Sequence, residues 1–239
     1  MRETIATVGP GRLGTALTDA LRAAGLTVTG PHGRGFDGTG ADVVLLCVPD
    51  AEIAAACACI APGPLVGHCS GATGLDALAP HAAFGLHPLM TVTPAGARFS
   101  GAGCAIAGSD GAALRCATDL AAALGMDPFV VADGDRAAYH AAASIASNFL
   151  VTLEGAAERL AAAAGVPRSA LAPLARAAFD NWAAVGAQEA LTGPIARGDE
   201  ATVALQREAI ARTAPDLLAL FDAMADATRA LAGRVEAHA

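Results

Sequence analysis

Short apolar runs rich in valine, isoleucine and leucine recur along the first part of the chain, with helically spaced alanine and leucine between them. This alternation predicts β-strands joined by helices in a parallel sheet. The run at 41–48, ADVVLLCV, is continuously apolar, which is typical of a strand covered on both faces. The predicted strands begin at Thr4 and continue at 26–29, 41–48, 65–69, 83–86, 104–107 and 128–131.

The pattern changes at Gly134, beyond which the apolar positions have only helical spacing. We predict helices over 135–164, 168–189 and 199–234, separated by GVP and by LTGPIARGD. The predicted fold class is α/β, with a parallel-sheet domain at 1–133 followed by an all-α domain at 134–239. The alanine-rich helices permit close packing, and we expect them to complete their core as a homodimer.

A strand, a glycine motif and a helix follow one another in TIATVGPGRLGTALTDALRAA at 4–24. Gly9 would let the chain turn out of the strand, Gly11 would let backbone amides approach a pyrophosphate, and Gly14 would let the helix pack on the sheet. The helix begins near Arg12 and Leu13, where its positive end favours phosphate. This order predicts a Rossmann-type dinucleotide site, the alternative being a turn without a ligand.

The end of the second strand indicates which dinucleotide is bound. An acid there usually meets the ribose 2′-hydroxyl of NAD, but GPHGRG stands in its place. His32 and Arg34 therefore favour the 2′-phosphate of NADP, unless the segment is a solvated loop or Asp37 is recruited toward NAD. Because this region is short, we expect the third strand of an ordinary dinucleotide fold to be missing or vestigial.

Further cofactor contacts are expected where other strands end. Ligands bind at the carboxyl edge of an open parallel sheet, so Val48 and Pro49 should lie along the cofactor and Asp50 should cap the next helix. Ser70 and His87 each follow a predicted strand near the nicotinamide end. A serine hydroxyl can orient a substrate oxygen and a histidine can exchange a proton near pH 7, although such a histidine is often only structural.

Two later segments carry further candidate chemistry. In YHAAASIASNF, helical spacing places His140, Ser144, Ser147 and Asn148 on one face, as a substrate site or as a hydrogen-bonded helix interface. In TGPIARGD, Thr192, Arg197 and Asp199 share one loop. Arg197 could clamp a substrate carboxylate, or Asp199 could simply cap the next helix while Arg197 stays solvated.

Composition narrows the functional classes. The net charge of -8 argues against nucleic-acid binding, and the broken apolar stretches argue against a membrane span. The start runs directly into a strand, so we expect no signal peptide and a cytoplasmic protein. The six cysteines form no CxxC pair, and no metal site is predicted. The chain has no lysine, which excludes a lysine general acid.

These motifs together carry a family resemblance. GPGRLG, VPDAEI, HCSGATGLDAL, HPLMT, YHAAASIASNFLVTLE and LTGPIARGD resemble Rossmann-like proteins with a C-terminal helical domain of unknown function. These belong to the 6-phosphogluconate-dehydrogenase-like superfamily, beside pyrroline-5-carboxylate reductase, ketopantoate reductase and prephenate dehydrogenase. The resemblance implies an NADP-dependent oxidoreductase, and some relatives look like alternative ketopantoate reductases.

The resemblance also implies roles for individual residues. Ketopantoate reductases place a lysine and an asparagine four apart where Ser144 and Asn148 stand here. Asn148 could hold the substrate oxygen or a water, and Ser144 could help to hold the substrate heteroatom, but Ser144 cannot replace a lysine as proton donor. HPLM is similar to a prephenate dehydrogenase segment and favours His87 near the reacting centre, with His140 as the other proton donor. The expected substrate is a small 2-keto acid; a cyclic imine acid, or a non-catalytic NADP-binding role, is the alternative.

Overall fold

The chain folds into two compact units that follow one another along the sequence. The computed structural model describes residues 3–94 and 96–236, and the units are separated between Ser147 and Asn148. The domain boundary predicted at Gly134 stays a prediction. The outermost residues of the predicted domains, 1–2 and 237–239, lie outside the described residues.

The first unit is built on a mixed sheet that is mainly parallel. Its seven strands follow the order β2-β1-β3-β4-β5-β6-β7, and every neighbouring pair is parallel except β5 and β6. The predicted α/β class with a Rossmann-type sheet is confirmed. The strands are β1 Thr4–Val8, β2 Thr27–His32, β3 Val43–Leu46, β4 Leu65–His68, β5 Ala83–Leu89, β6 Gly103–Gly108 and β7 Asp127–Val130.

Helices cover both faces of this sheet. They are α1 Arg12–Ala23, α2 Ile53–Cys57, α3 Gly111–Ala123 and α4 Arg136–Ser144. Alternate residues of β3 enter two different apolar clusters: Val43 and Leu45 pack with α1 and α3, whereas Val44 and Leu46 pack with α2. All four are buried, as the continuous apolar run predicts for a strand covered on both sides.

The region between β1 and β3 is shorter than in an ordinary dinucleotide fold. Within the described residues the sheet ends at β2, and no further strand lies beyond it, in agreement with the prediction that the third strand of an ordinary dinucleotide fold is missing or vestigial. The prediction that β2 ends at Thr29 is wrong, because the strand continues through Gly30 and Pro31 to His32. The His32 carbonyl accepts a hydrogen bond from the Gly9 amide at 2.9 Å, which ties the extension to the glycine loop.

The predicted end of β5 at Leu86 is also wrong. The strand runs to Leu89 because β6 pairs with it antiparallel from Phe84 to Leu89, with His87 opposite Ala105. Pairing of this kind joins distant segments, so no local pattern at 83–89 could reveal it. His87 therefore projects from within a strand and does not lie beyond its end.

The second unit is helical, as predicted. A π-helical turn at Ile145–Phe149 leads into it, and its helices are α5 Leu150–Ala163, α6 Arg168–Val185, α7 Ala187–Ala190, α8 Glu200–Thr213 and α9 Leu218–Glu236.

Each of the three long helices predicted from the sequence is interrupted. The first is divided by the π-helical turn, the second by Gly186 with φ +83°, and the third at Ala214, which precedes Pro215. Glycine readily adopts positive φ, and the residue before a proline disfavours helical geometry. No helix in the described residues has the length and apolar character needed to cross a bilayer.

Candidate functional site

Gly9 and Gly14 make the turn from β1 into α1 possible. Gly9 has φ +106°, and a Cβ added to it would lie 2.5 Å from the carbonyl oxygen of Cys47. A Cβ added to Gly14 would overlap the carbonyl oxygen of Gly9. Both contacts involve backbone atoms that cannot move aside, so the fold itself requires these two glycines.

Gly11 is different, because no neighbouring protein atom requires the absence of a side chain at this position. A Cβ added there would meet nothing within 4 Å. Gly11 is the N-cap of α1 and makes no side-chain cap hydrogen bond. The first amides of a helix have no carbonyl partner within the helix, and they form a natural anion site. The start of α1 is therefore open to a ligand, which fits the pyrophosphate of a dinucleotide.

An open cleft of about 360 Å³ lies beside this helix start. Five of the residues predicted to bind the cofactor line this cleft, although they come from two separate segments: Gly11, Arg12 and Leu13 from the first, and Val48 and Pro49 from the second. The lining residues are Gly11, Arg12, Leu13, Cys47, Val48, Pro49, Asp50, Cys69 and Val92. The thiol sulfurs of Cys47 and Cys69 are 3.8 Å apart, and both cysteines are free.

His32 and Arg34 lie beside the end of β2. The His32 Nε2 is 3.0 Å from the Thr29 hydroxyl oxygen, and its ring stacks on Phe36 with 4.0 Å between centroids. The Arg34 Nη1 is 2.8 Å from Glu52 Oε2, in the 3₁₀ turn at Asp50–Glu52 that follows β3. Arg34 thus already has an acidic neighbour, and its predicted contact with a 2′-phosphate stays a prediction.

The Ser70 hydroxyl is occupied by its own turn. It donates to Asp50 Oδ2 at 2.7 Å and accepts from the amides of Ala72 and Thr73. Asp50 was expected to cap the following helix, but the residue makes no side-chain cap and its carboxylate holds Ser70. Ser70 is buried, so its clear role here is to shape the turn after β4.

His68 is a buried structural histidine. Its Nδ1 accepts a hydrogen bond from the Ser70 amide at 3.2 Å, and its Nε2 is 3.3 Å from the Gly74 carbonyl oxygen. A carbonyl can only accept, so Nε2 carries the proton and the ring is neutral. Burial also lowers its pKa, which agrees with this tautomer.

His87 is joined to a tyrosine that the sequence analysis missed. Its Nδ1 is 2.7 Å from the Tyr139 hydroxyl oxygen, and the two rings meet edge to face. Burial, followed by the nearby His140, lowers the pKa of His87 to about 4, while burial raises the pKa of Tyr139 to about 12. Both groups are therefore uncharged near neutral pH. Tyr139 is the only tyrosine of the chain, but nothing in its local sequence indicates a partner 52 positions away.

His140 lies beside His87 and is exposed. The two ring centroids are 6.3 Å apart. A Cβ added to Gly71 would lie 2.9 Å from His87 Cε1 and 3.0 Å from His140 Cδ2, so the absence of a side chain at Gly71 lets both imidazoles approach the turn after β4. The structure thus brings together the two histidines proposed as proton donors.

A buried arginine on the same sheet face was also missed. Arg136 is 5% exposed, and its Nε donates to Asp133 Oδ1 at 2.7 Å. Its Nη2 fills the space above Gly85, 3.2 Å from where a Cβ would lie. Gly85 and His87 are two positions apart in β5, so they face the same side of the sheet. The Arg136 guanidinium packed over Gly85 therefore lies on the same side of the sheet as the His87 ring. The Arg136 charge contributes to the low pKa of His87.

The helix face predicted from 140 to 148 is not continuous. A π-helical turn has a longer repeat than an α-helix, so the offset of four between Ser144 and Asn148 no longer guarantees a shared face. Ser144 is half-buried in the first unit, whereas Asn148 is exposed in the second. Their predicted roles stay predictions.

The 192–199 segment lies in the second unit. Asp199 caps α8, and its carboxylate accepts hydrogen bonds from the Thr202 amide at 3.1 Å and the Thr202 hydroxyl at 2.7 Å. Thr192 and Arg197 are exposed. The capping alternative therefore accounts for Asp199, while carboxylate binding by Arg197 stays a prediction.

Solved structures share this fold across nearly the whole chain. BF3122 from Bacteroides fragilis, a candidate NADP oxidoreductase, is 18% identical, with 95% of this chain and 98% of that chain covered and a TM-score of 0.80. TM1727 from Thermotoga maritima is 22% identical, with 97% and 99% covered and a TM-score of 0.78. A reductive aminase from Aspergillus terreus, in complex with NADPH and ethyl-5-oxohexanoate, is 17% identical, with 100% of both chains covered and a TM-score of 0.67. Such identities show the fold alone.

Two family models match successive parts of the chain. No curated protein matches it significantly. A Rossmann-like domain matches residues 37–94, and the domain of unknown function DUF2520 matches residues 102–228, from the start of β6 into α9. Because the second match spans more than half of the sequence, the chain belongs to the DUF2520 family.

Proposed function

We propose that the chain is an NADPH-dependent oxidoreductase that reduces a C=O or C=N bond of a small carboxylate substrate. The observation that carries this proposal is the open start of α1. Gly11 leaves the helix amides accessible at one end of a cleft, and Val48 and Pro49 line the same cleft. The similarity in fold to a reductive aminase in complex with NADPH supports the assignment.

The residues around His87 suggest which group would donate a proton to the substrate during the reduction. Bound NADPH would supply the hydride. With a pKa of about 4, His87 is neutral at pH 7, so it orients a substrate heteroatom by hydrogen bonding and does not donate a proton as imidazolium. We assign the proton to His140, whose exposed ring lies beside His87 with 6.3 Å between the ring centroids. Tyr139 holds His87 in place.

Two substrate classes follow from this arrangement. A 2-keto acid of the ketopantoate kind agrees with the family resemblance. A cyclic imine acid is the second candidate, and the neutral state of His87 together with the absence of lysine favours it. An imine can arrive already protonated and needs no strong general acid, whereas a ketone oxygen must gain a proton during the reduction.

The proposal is tested by following NADPH oxidation with a panel of 2-keto acids and cyclic imine acids. We expect turnover with one class. If that class is the 2-keto acids, kcat should fall about 10²-fold or more in His140→Ala, as is usual for loss of a general acid, whereas reduction of an already protonated imine should be affected less. Tyr139→Phe should lower kcat less, because it removes only the group that holds His87. His81→Ala is the matched control, since His81 lies in the turn before β5, apart from this cluster.

The possible failures have different meanings. If NADPH binds but no member of the panel is reduced, the chain is a cofactor-sensing or partner-binding protein and the enzyme proposal is wrong. If neither NADPH nor NADH binds, the dinucleotide site itself is wrong, and a structural module is the better interpretation.

A further inference from the structure

An ion pair spans the carboxyl edge of the sheet beside the glycine loop. Arg34 follows β2 and Glu52 follows β3, and their Nη1 and Oε2 atoms are 2.8 Å apart. In the sheet order, β2 and β3 lie on either side of β1. The pair therefore connects the two turns that flank the end of β1, from which Gly9 leads into α1.

This position corresponds to the adenosine side of a dinucleotide site. In doubly wound sheets, the pyrophosphate lies at the first helix and the adenosine ribose lies near the end of the second strand. The acid that usually meets the ribose stands on that second strand, where this chain has Gly30 and Pro31. Glu52 supplies a carboxylate to the same region from the other side of β1.

The contact between the two groups is incomplete. Glu52 Oε2 has no solvent-exposed surface, yet no hydrogen bond of acceptable geometry reaches it within the described residues. The 2.8 Å approach is thus an ion contact without a directed hydrogen bond. The Arg34 side chain remains 68% exposed, so most of its guanidinium faces solvent.

A phosphate is a stronger partner for this guanidinium than the carboxylate is. Arginine forms bidentate, charge-assisted hydrogen bonds with phosphate, which also carries more negative charge than a carboxylate. A 2′-phosphate at Arg34 would have to displace Glu52 or accept its negative charge nearby. With a 2′-hydroxyl in that place, the carboxylate could stay and accept a hydrogen bond.

We propose that Glu52 is a specificity-determining residue that competes with the 2′-phosphate of NADPH for Arg34 and so limits the preference for NADPH over NADH. This inference rests on the proposed function, because it requires a dinucleotide in the cleft beside Gly11. It assigns the choice of cofactor to a pair of residues of opposite charge, with Arg34 favouring the phosphate and Glu52 opposing it.

Fluorescence titration of the full chain with NADPH and NADH tests the inference without any knowledge of the substrate. Glu52→Gln should lower the Kd for NADPH about two- to fivefold, the range expected for a partly exposed ion pair, and leave the Kd for NADH unchanged or higher. The gain should shrink at high salt, because the charges are screened. Arg34→Ala should weaken NADPH binding and affect NADH less. In Arg34→Ala/Glu52→Gln, the gain from Glu52→Gln should disappear.

Asp119→Asn is the matched control. This substitution also removes one negative charge, but near the edge of the sheet opposite to the carboxyl edge, where Asp119 lines a pocket with Glu3 and Thr27. Both Kd values should therefore stay at the wild-type level. Glu52→Ala provides a second variant, and thermal unfolding verifies that each variant folds.

Three results would overturn the inference. An unchanged ratio of the two Kd values in both Glu52 variants would show that Glu52 does not influence cofactor choice. A gain that persists in the double variant would show that Glu52 does not act through Arg34. A wild-type chain that binds neither cofactor would remove the proposed function and this inference with it.

Discussion

His87 is the residue whose chemistry differs most from its sequence-based interpretation. A histidine after a strand suggests a proton donor, but His87 lies within β5 and is half-buried. Burial lowers its pKa most, and the charges of His140, Arg136 and His68 lower it further, whereas Asp50 raises it. These neighbours come from separate segments, and the low pKa of the imidazole follows from burial together with their charges.

This low pKa predicts a loss of stability in acid. The pKa in the folded chain, about 4, is below the ordinary histidine value of 6.5, so the unfolded chain binds the proton more readily between these values. The contribution of His87 is fully present above pH 6.5 and is lost as the pH falls towards 4. A difference of this size corresponds to at most about 3 kcal/mol in the free energy of unfolding.

Urea titrations across this pH range would measure the effect. In His87→Gln, the free energy of unfolding should depend less on pH than in the wild-type chain, whereas His81→Gln should retain the wild-type dependence. Part of the dependence should remain in His87→Gln, because burial also lowers the pKa of His68. Equal pH dependence in the wild-type chain and His87→Gln would contradict the assignment.

The turn from β1 into α1 shows how one motif combines structural and ligand requirements. Gly9 and Gly14 are needed because backbone carbonyls occupy the space of their missing side chains. Gly11 has open space around it and φ −78°, a value that any residue can adopt. The sequence places all three glycines in one motif, but only the folded turn separates their roles.

Three alanine substitutions should therefore behave differently. Gly9→Ala and Gly14→Ala should destabilise the fold by about 2 kcal/mol or more, through backbone strain and overlap. Gly11→Ala should fold with nearly wild-type stability but bind NADPH at least about tenfold more weakly, because its methyl group would stand where the pyrophosphate approaches. Thermal unfolding and NADPH titration separate the two effects. Wild-type NADPH affinity in Gly11→Ala would contradict the placement of the pyrophosphate.

The helices of the second unit leave much apolar surface uncovered. Helices α5, α6 and α7, as described, contain no buried residue. On α6, Leu174, Trp182 and Val185 are each more than half exposed, and their spacing places them on one helix face. We propose that a second copy of the chain covers this face, which would make the protein a homodimer. Apolar patches of this kind commonly mark interaction sites.

A single charge on this face should weaken the assembly. We expect the wild-type chain to sediment as a dimer and Trp182→Glu to shift towards monomer at the same concentration, because the carboxylate would lose its hydration in the interface. Leu205→Glu, on the exposed surface of α8, is the control and should leave the dimer intact. A monomeric wild-type chain in analytical ultracentrifugation would contradict the proposal.

Much of the architecture could be predicted from local patterns. The order of strands and helices, the buried strand β3 and the glycine turn follow from side-chain periodicity and from the freedom of glycine, which act within a few residues. The ends of elements were less predictable. β5 extends to Leu89 because of its pairing with β6, and the long predicted helices break where Gly186, Pro215 and the π-helical turn intervene.

The sequence by itself determined which residue types stand near the carboxyl edge of the sheet, because strand order and a glycine motif are local properties. Only the tertiary structure decided their chemical state. Tyr139 reaches His87 and Glu52 reaches Arg34 through the packing of distant segments, and the enclosure of His87 removes its charge. Desolvation and the field of neighbouring charges depend on distances in space, and these are set only when the chain folds.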